Sequence, residues 1–267
     1  MKKTVFVVWS LLIIGFLLPS CEEDGGINIF TLEQDKQFGA DFDQEIMNNS
    51  EYDVLDENEY AEAYTHLKRI RDGLLESDDL NHADDFVWKV RIIRDDEMLN
   101  AFAVPGGYMY FYTGLIKYLD NEAQLGGVMA HEITHADRRH STQQMTKTYG
   151  FQFLLGMILG EDPEAWAEIA AELALGLGNL HFSRNHEYEA DEYAVKYSAD
   201  SDLYPKGVAG FFEKLEAENG SKVPEFLSTH PSPDNRIEAI DEVWKNIGSP
   251  PGEKYPDRYQ QFINSLP

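Results

Sequence analysis

The chain has 267 residues, 48 of them acidic and 22 basic, and its formal charge of −26 at pH 7 weighs against nucleic acid or an anionic lipid surface as a partner. The same charge is ordinary for solubility and does not point to a basic substrate. The single cysteine excludes a disulfide within the chain.

The chain opens with Lys2 and Lys3 before an apolar run from Val5 to Leu18. That run is shorter than the roughly 18 residues a spanning helix needs, so it reads as a secretion signal. Leu18, Pro19, Ser20 and Cys21 resemble a bacterial lipobox, with Pro19 an unusual occupant of its position. The resemblance implies cleavage before Cys21, a lipid on that residue, and anchorage to a membrane of the bacterial envelope, facing the periplasm or the cell surface. Residues 1–21 are therefore expected to be a signal peptide, 22–30 a tether, 31–248 one α+β domain and 249–267 a C-terminal tail.

Thr31 is a plausible N-cap with Gln34 as its capping-box partner, which predicts a helix to about Asn48. Tyr60, Tyr64, Leu67, Ile70 and Leu74 recur at threes and fours and mark a second helix, ended near Gly73 and Ser77. Strands are expected over Phe86 to Ile93, Asn100 to Val104 and Tyr108 to Tyr112, with Pro105, Gly106 and Gly107 as a turn, making a short antiparallel sheet. Asn121 caps a long helix through Leu125, Val128, Met129 and Ile133. Phe151 to Leu180 holds two apolar segments split by Glu161, Asp162 and Pro163, each too short to span a bilayer. Further helices are expected over Tyr188 to Tyr197, Phe211 to Leu215 and, after a turn at Pro231 to Pro233, Arg236 to Trp244. The tail from Ser249 reads as irregular, and no internal repeat is present.

The helix from Asn121 carries His131-Glu132-Ile133-Thr134-His135. Residues four apart on a helix differ by about 40° in azimuth and roughly 6 Å in rise, so both imidazoles project from one face and can share a metal at about 2.0–2.1 Å. Glu132 stands about a quarter turn round, close enough to touch a metal-bound water without displacing the ligands, where it can serve as general base, since zinc lowers the pKa of its bound water towards neutrality. A catalytic zinc needs a third protein ligand. The metzincin pattern would put Gly at 138 and His at 141, but Arg138 and Ser141 stand there and His140 is one residue out of register. A distant acid is the alternative. Glu187 fits best, with Asp191 four residues on to orient a ligand histidine, and Glu189, His186 and His181 compete for the role.

HEITH followed by EYEAD at Glu187 to Asp191 resembles the HtpX and CAAX prenyl-protease family of gluzincin zinc metallopeptidases. That resemblance implies a mainly helical zincin-like α+β domain, one zinc ion per chain, and Glu187 as the third ligand beside His131 and His135. It implies that the strand with Asn100, Ala101, Phe102 and Ala103 binds an extended peptide along its edge. It further implies that His230, six residues before Arg236, stabilises the oxyanion, with Arg236 in support and His230 able to cap zinc at rest. The chain lacks the spanning helices of membrane-embedded members and is closer to the soluble periplasmic lipoprotein branch. The expected function is endoproteolysis of misfolded or unassembled envelope proteins. The alternative is a zinc-bearing chaperone or assembly factor with little hydrolysis.

Overall fold

The computed structural model describes residues 20–21, 27–150, 156, 182–218, 225–230 and 235–267. The expected signal run, all but one residue of the paired apolar segments over 151–180 and the turn at 231–233 lie outside the described residues. Ser20–Cys21 (β1) pairs antiparallel with Ile27–Asn28 (β2). From there the chain is fastened to the domain: the Asn28 side chain donates to Thr142 Oγ1 at 2.9 Å, and the Phe30 carbonyl accepts from the Arg139 guanidinium.

The first helix, Leu32–Asn48 (α1), begins at Thr31 with the expected reciprocal capping box to Gln34. Ala61–Leu74 (α2) follows, its buried stripe formed by Ala63, Tyr64, Leu67, Ile70 and Leu74. The three expected strands form as Lys89–Ile93 (β3), Ala101–Val104 (β4) and Tyr108–Tyr112 (β5). The sheet is mixed rather than antiparallel: β4 and β5 make a hairpin, but β3 pairs parallel to β5, which lies in the middle. All five residues of β5 are buried, and the central position satisfies both of its edges. The hairpin turns at Gly106 and Gly107, both with positive φ, a conformation glycine adopts without steric cost.

Alternation along the strands sends Val90, Ile92, Ala101, Ala103, Met109 and Phe111 to the main helical core. Phe102, Val104, Tyr108, Tyr110 and Tyr112 face a second cluster with Phe38, Phe42 and Ile46 of α1. On that side Asp43 of α1 is buried and accepts from Lys89, Arg91 and Tyr110, which ties the helix to the sheet. The sheet is thus covered on both faces.

Thr113–Tyr118 (α3) leads to Glu122–Asp137 (α4), the HEITH helix, every residue of which is buried. Asn121 caps it by accepting from the Gln124 amide at 3.1 Å. After a turn at Arg139 the chain continues as His140–Tyr149 (α5), and then as Arg184–Asp200 (α6) and Gly207–Ala217 (α7), the latter two longer than the sequence suggested. Glu225–Thr229 (α8) and Arg236–Asn246 (α9) complete the wall around α4. Helices α4 and α7 cross at contact distance: a Cβ on Gly207 would stand 1.8 Å from the Ala123 carbonyl oxygen, and one on Gly127 2.2 Å from the Val208 amide nitrogen.

The tail is not irregular. Pro256–Asn264 forms a last helix (α10) with proline in its first turn, and its Tyr259 and Phe262 are buried. The sequence reading missed it because only two core residues, three apart, mark so short a helix. Its Arg258 joins Arg69 of α2 in pairing with the buried Glu122 at the start of α4. Among the described residues no helix is long and apolar enough to cross a membrane.

Candidate metal centre

Helix α4 presents His131 and His135 on one face, as the four-residue spacing requires, with their Nε2 atoms 3.0 Å apart. Helix α6 crosses α4 and brings Glu187, whose carboxylate oxygens lie 3.5 Å from each of those nitrogens. The short α8 delivers His230, with Nδ1 3.2 Å from His131 Nε2 and 3.1 Å from Glu187 Oε1. One donor atom from each of the four residues lies within 4.8 Å of all the others, and all four residues are buried.

Two donors at about 2.0–2.1 Å from one tetrahedral ion stand about 3.3–3.4 Å apart. The observed separations bracket that value. Two imidazoles and a carboxylate, with a third imidazole at the fourth corner, form the nitrogen and oxygen set that zinc favours. The residues therefore fit a zinc ion.

The surroundings fix the charges. Burial pushes Glu187 up, but the His230 imidazole, His131 and Arg236 outweigh it and hold the carboxyl at about 2, ionised. Burial lowers His131, and it lowers His135 well below the usual range, with the neighbouring histidines adding to the effect. Both are held as the neutral imidazoles that a metal requires. His131 Nδ1 lies 3.0 Å from Asp191 Oδ1, and Arg236 grips Asp191 and also reaches Glu187 at 3.1 Å. Asp191 thus fixes the His131 ring, while Arg236 compensates two buried carboxylates.

Glu132, next to the first ligand, is fully buried, and burial pushes it up to about 7 although His230 counteracts this. Among the described residues neither of its oxygens closes a hydrogen bond, although the Ala103 amide of β4 points towards them. His230 Nε2 stands 3.4 Å from Glu132 Oε1, on the opposite side of the ring from the cluster. Burial lowers His230, but the Glu187 and Glu132 carboxylates prevail and raise it.

The structure brings His131, Glu132, His135, Glu187, Asp191, His230 and Arg236 into one buried cluster. Ala101, Phe102 and Ala103 lie on β4, an edge strand of the sheet, packed against α4. Their side chains are committed to the two faces of the sheet. Asn100 precedes the strand, buried, with its Oδ1 unpartnered among the described residues. Cys21 is in β1. Of the competing ligands, His186 and Glu189 lie on α6 but outside the cluster of four, and His181 lies outside the described residues. Sequence reasoning missed Phe182, whose ring stacks on His135 at 3.9 Å, and the contact between His135 and His140. The only signal for the latter was a histidine close to the metzincin register.

Comparison with known proteins agrees with this geometry. The description "Peptidase family M48" matches residues 61–244. The beta-barrel assembly-enhancing protease of Escherichia coli K12 is 37% identical over 157 residues, covering 55% of this chain and 32% of that protein. The mitochondrial metalloendopeptidase OMA1 of Schizosaccharomyces pombe is 28% identical over 221 residues, covering 80% of this chain and 62% of that protein. The human mitochondrial metalloendopeptidase OMA1 is 29% identical over 171 residues, covering 58% and 32%. The chain thus spans about a third to three fifths of the length of these relatives.

Proposed function

This chain belongs to peptidase family M48, and from that premise we propose that it is a zinc-dependent endopeptidase acting on unfolded or unassembled proteins of the bacterial envelope. The observation that carries the reading is the convergence of His131, His135 and Glu187 from two helices beside a buried, uncommitted Glu132. The three residues would hold the metal, which when bound would supply Lewis-acid polarisation of the scissile carbonyl and of water. Glu132 takes the proton from the attacking water as the carbon–oxygen bond forms. It returns that proton to the leaving amine nitrogen as the carbon–nitrogen bond breaks. An extended peptide pairs with the outer edge of β4, which the inward-pointing Ala103 amide sets alongside Glu132.

His230 supports a second element of the reading, because it occupies the fourth corner of the ligand set rather than standing back from it. We read this arrangement as a capped resting form. Displaced from the corner, His230 would donate to the developing oxyanion, and Arg236 would keep Glu187 and Asp191 in place. A permanently closed set would make the site structural instead.

The envelope location rests on the signal-like start and the lipobox-like Cys21, together with a relative named for enhancing β-barrel assembly. Conversion of Cys21 to Ser is expected to release the protein from the membrane fraction. For the activity, zinc-loaded protein is expected to cleave casein, while Glu132→Gln and chelated samples do not. If capping limits the rate, His230→Ala raises cleavage of short peptides. Full activity of Glu132→Gln would overturn the assignment of the base.

A further inference from the structure

Arg139 has φ 59° and ψ 31°, a left-handed residue that breaks α4 from α5. The strain is held by its guanidinium, which pairs with the buried Asp35 at 2.6 Å. This turn folds the first residue of α5 back over the end of α4. His140 Nδ1 then lies 2.9 Å from His135 Nδ1, with both rings buried. On its far side His140 Nε2 lies 3.2 Å from Glu189 Oε2 of α6, and the His186 ring stacks on His140 at 4.3 Å and 10°.

The proton positions in this chain follow from the ligand set. His135 points Nε2 into the cluster, so its lone pair there goes to the metal and its single proton sits on Nδ1. Among the described residues that N–H meets His140 Nδ1, which is then the acceptor. A neutral His140 with a bare Nδ1 carries its own proton on Nε2, aimed at the Glu189 carboxylate. Every donor meets an acceptor in only one direction.

We propose that His140 and Glu189 are positioning residues for His135, fixing its tautomer and ring orientation through a histidine–carboxylate relay. The inference rests on His135 being a zinc ligand. The two ligands of α4 are thus oriented differently: His131 bonds a carboxylate directly, whereas His135 reaches one through a second imidazole. The extra ring spans the gap between the last turn of α4 and Glu189, which sits two residues past Glu187 on α6. Glu189 therefore belongs to the metal's surroundings without being a ligand.

The test is zinc affinity, measured on the full chain by competition with a chromophoric chelator. His140→Leu keeps the bulk and removes the acceptor, and is expected to weaken zinc binding about 10- to 100-fold. His140→Asn places an amide oxygen where Nδ1 stood, and is expected to recover most of that loss. Glu189→Leu is expected to weaken binding less than His140→Leu. In cobalt-substituted protein the visible bands should shift in His140→Leu and return in His140→Asn. Wild-type affinity in His140→Leu overturns the proposal, as does an Asn variant no better than Leu, which would reduce the ring to a packing element. If His140→Leu does not fold, the Asn and Glu189→Leu variants decide. Loss of zinc in His135→Ala with no effect at His140 sinks the relay alone. Wild-type zinc binding in His135→Ala sinks the ligand assignment beneath it.

Discussion

The two sides of the metal centre are built from opposite materials. Around His131 stand the buried charges of Asp191 and Arg236, beside Glu187, which lies 3.5 Å from His131 and His135 alike. Around His135 stand rings: Phe182 stacked at 3.9 Å, His140 at 5.0 Å and His230 at 4.9 Å between centroids. One side holds His131 among buried charged groups, the other holds His135 by shape and by directional hydrogen bonds. The charged side is therefore the more exposed to the loss of one partner, because removing a charge strands those it compensated. The ring side loses contacts but strands nothing charged.

The largest expected effect breaks the charged side. Arg236→Met retains the packing on Phe212, whose ring lies 4.0 Å from the guanidinium carbon, but leaves Glu187 and Asp191 uncompensated. Denaturant unfolding of the zinc-free protein should show a loss of about 3–5 kcal/mol. A loss below that of the ring-side variant would erase the contrast. On the ring side, Phe182→Leu removes the stacked face but keeps an apolar group, and the same measurement should show about 1–1.5 kcal/mol. The smallest effect sharpens the comparison with a charged group remote from the metal. Burial raises Asp43, but its bonds to Arg91 and Lys89 outweigh that and leave it below its usual 3.8. A lowered folded-state pKa adds stability that is fully present above about pH 3.8 and is lost as pH falls through the folded value. Asp43→Asn should therefore differ most from wild type near neutral pH. The gap should close in acid melts below about pH 4.

The parts legible in the sequence were those with a local signal. The Thr31 capping box, the Asn121 cap and the HEITH spacing each follow from residues within one or two turns, and each element begins where those residues place it. Glu187 and Asp191 were readable because i and i+4 on α6 share a face, although their meeting with α4 is tertiary. The mixed sheet was not readable, because alternation marks strands without saying which one lies in the middle. Nor was α10, where the pull comes from Glu122 and a core pocket more than a hundred residues away rather than from its own periodicity. His140 was visible only as a histidine out of register for one ligand pattern. Its contact with His135 depends on one left-handed residue, Arg139, whose sequence carries no glycine or asparagine to announce it.

The crossing of α4 and α7 sets limits for anyone who would re-engineer this chain. Replacing a helical glycine with alanine is a common route to a sturdier protein, since it removes disorder from the unfolded chain. At Gly127 and Gly207 that route is closed, because the added methyl would land on backbone that cannot turn aside and would push apart the helix bearing both histidines. At Gly73 of α2 a Cβ would meet nothing within 4 Å, so the same change is open there. Gly127 and Gly207 are thus spacers of fixed width, and their exchange would displace the helix that carries His131 and His135.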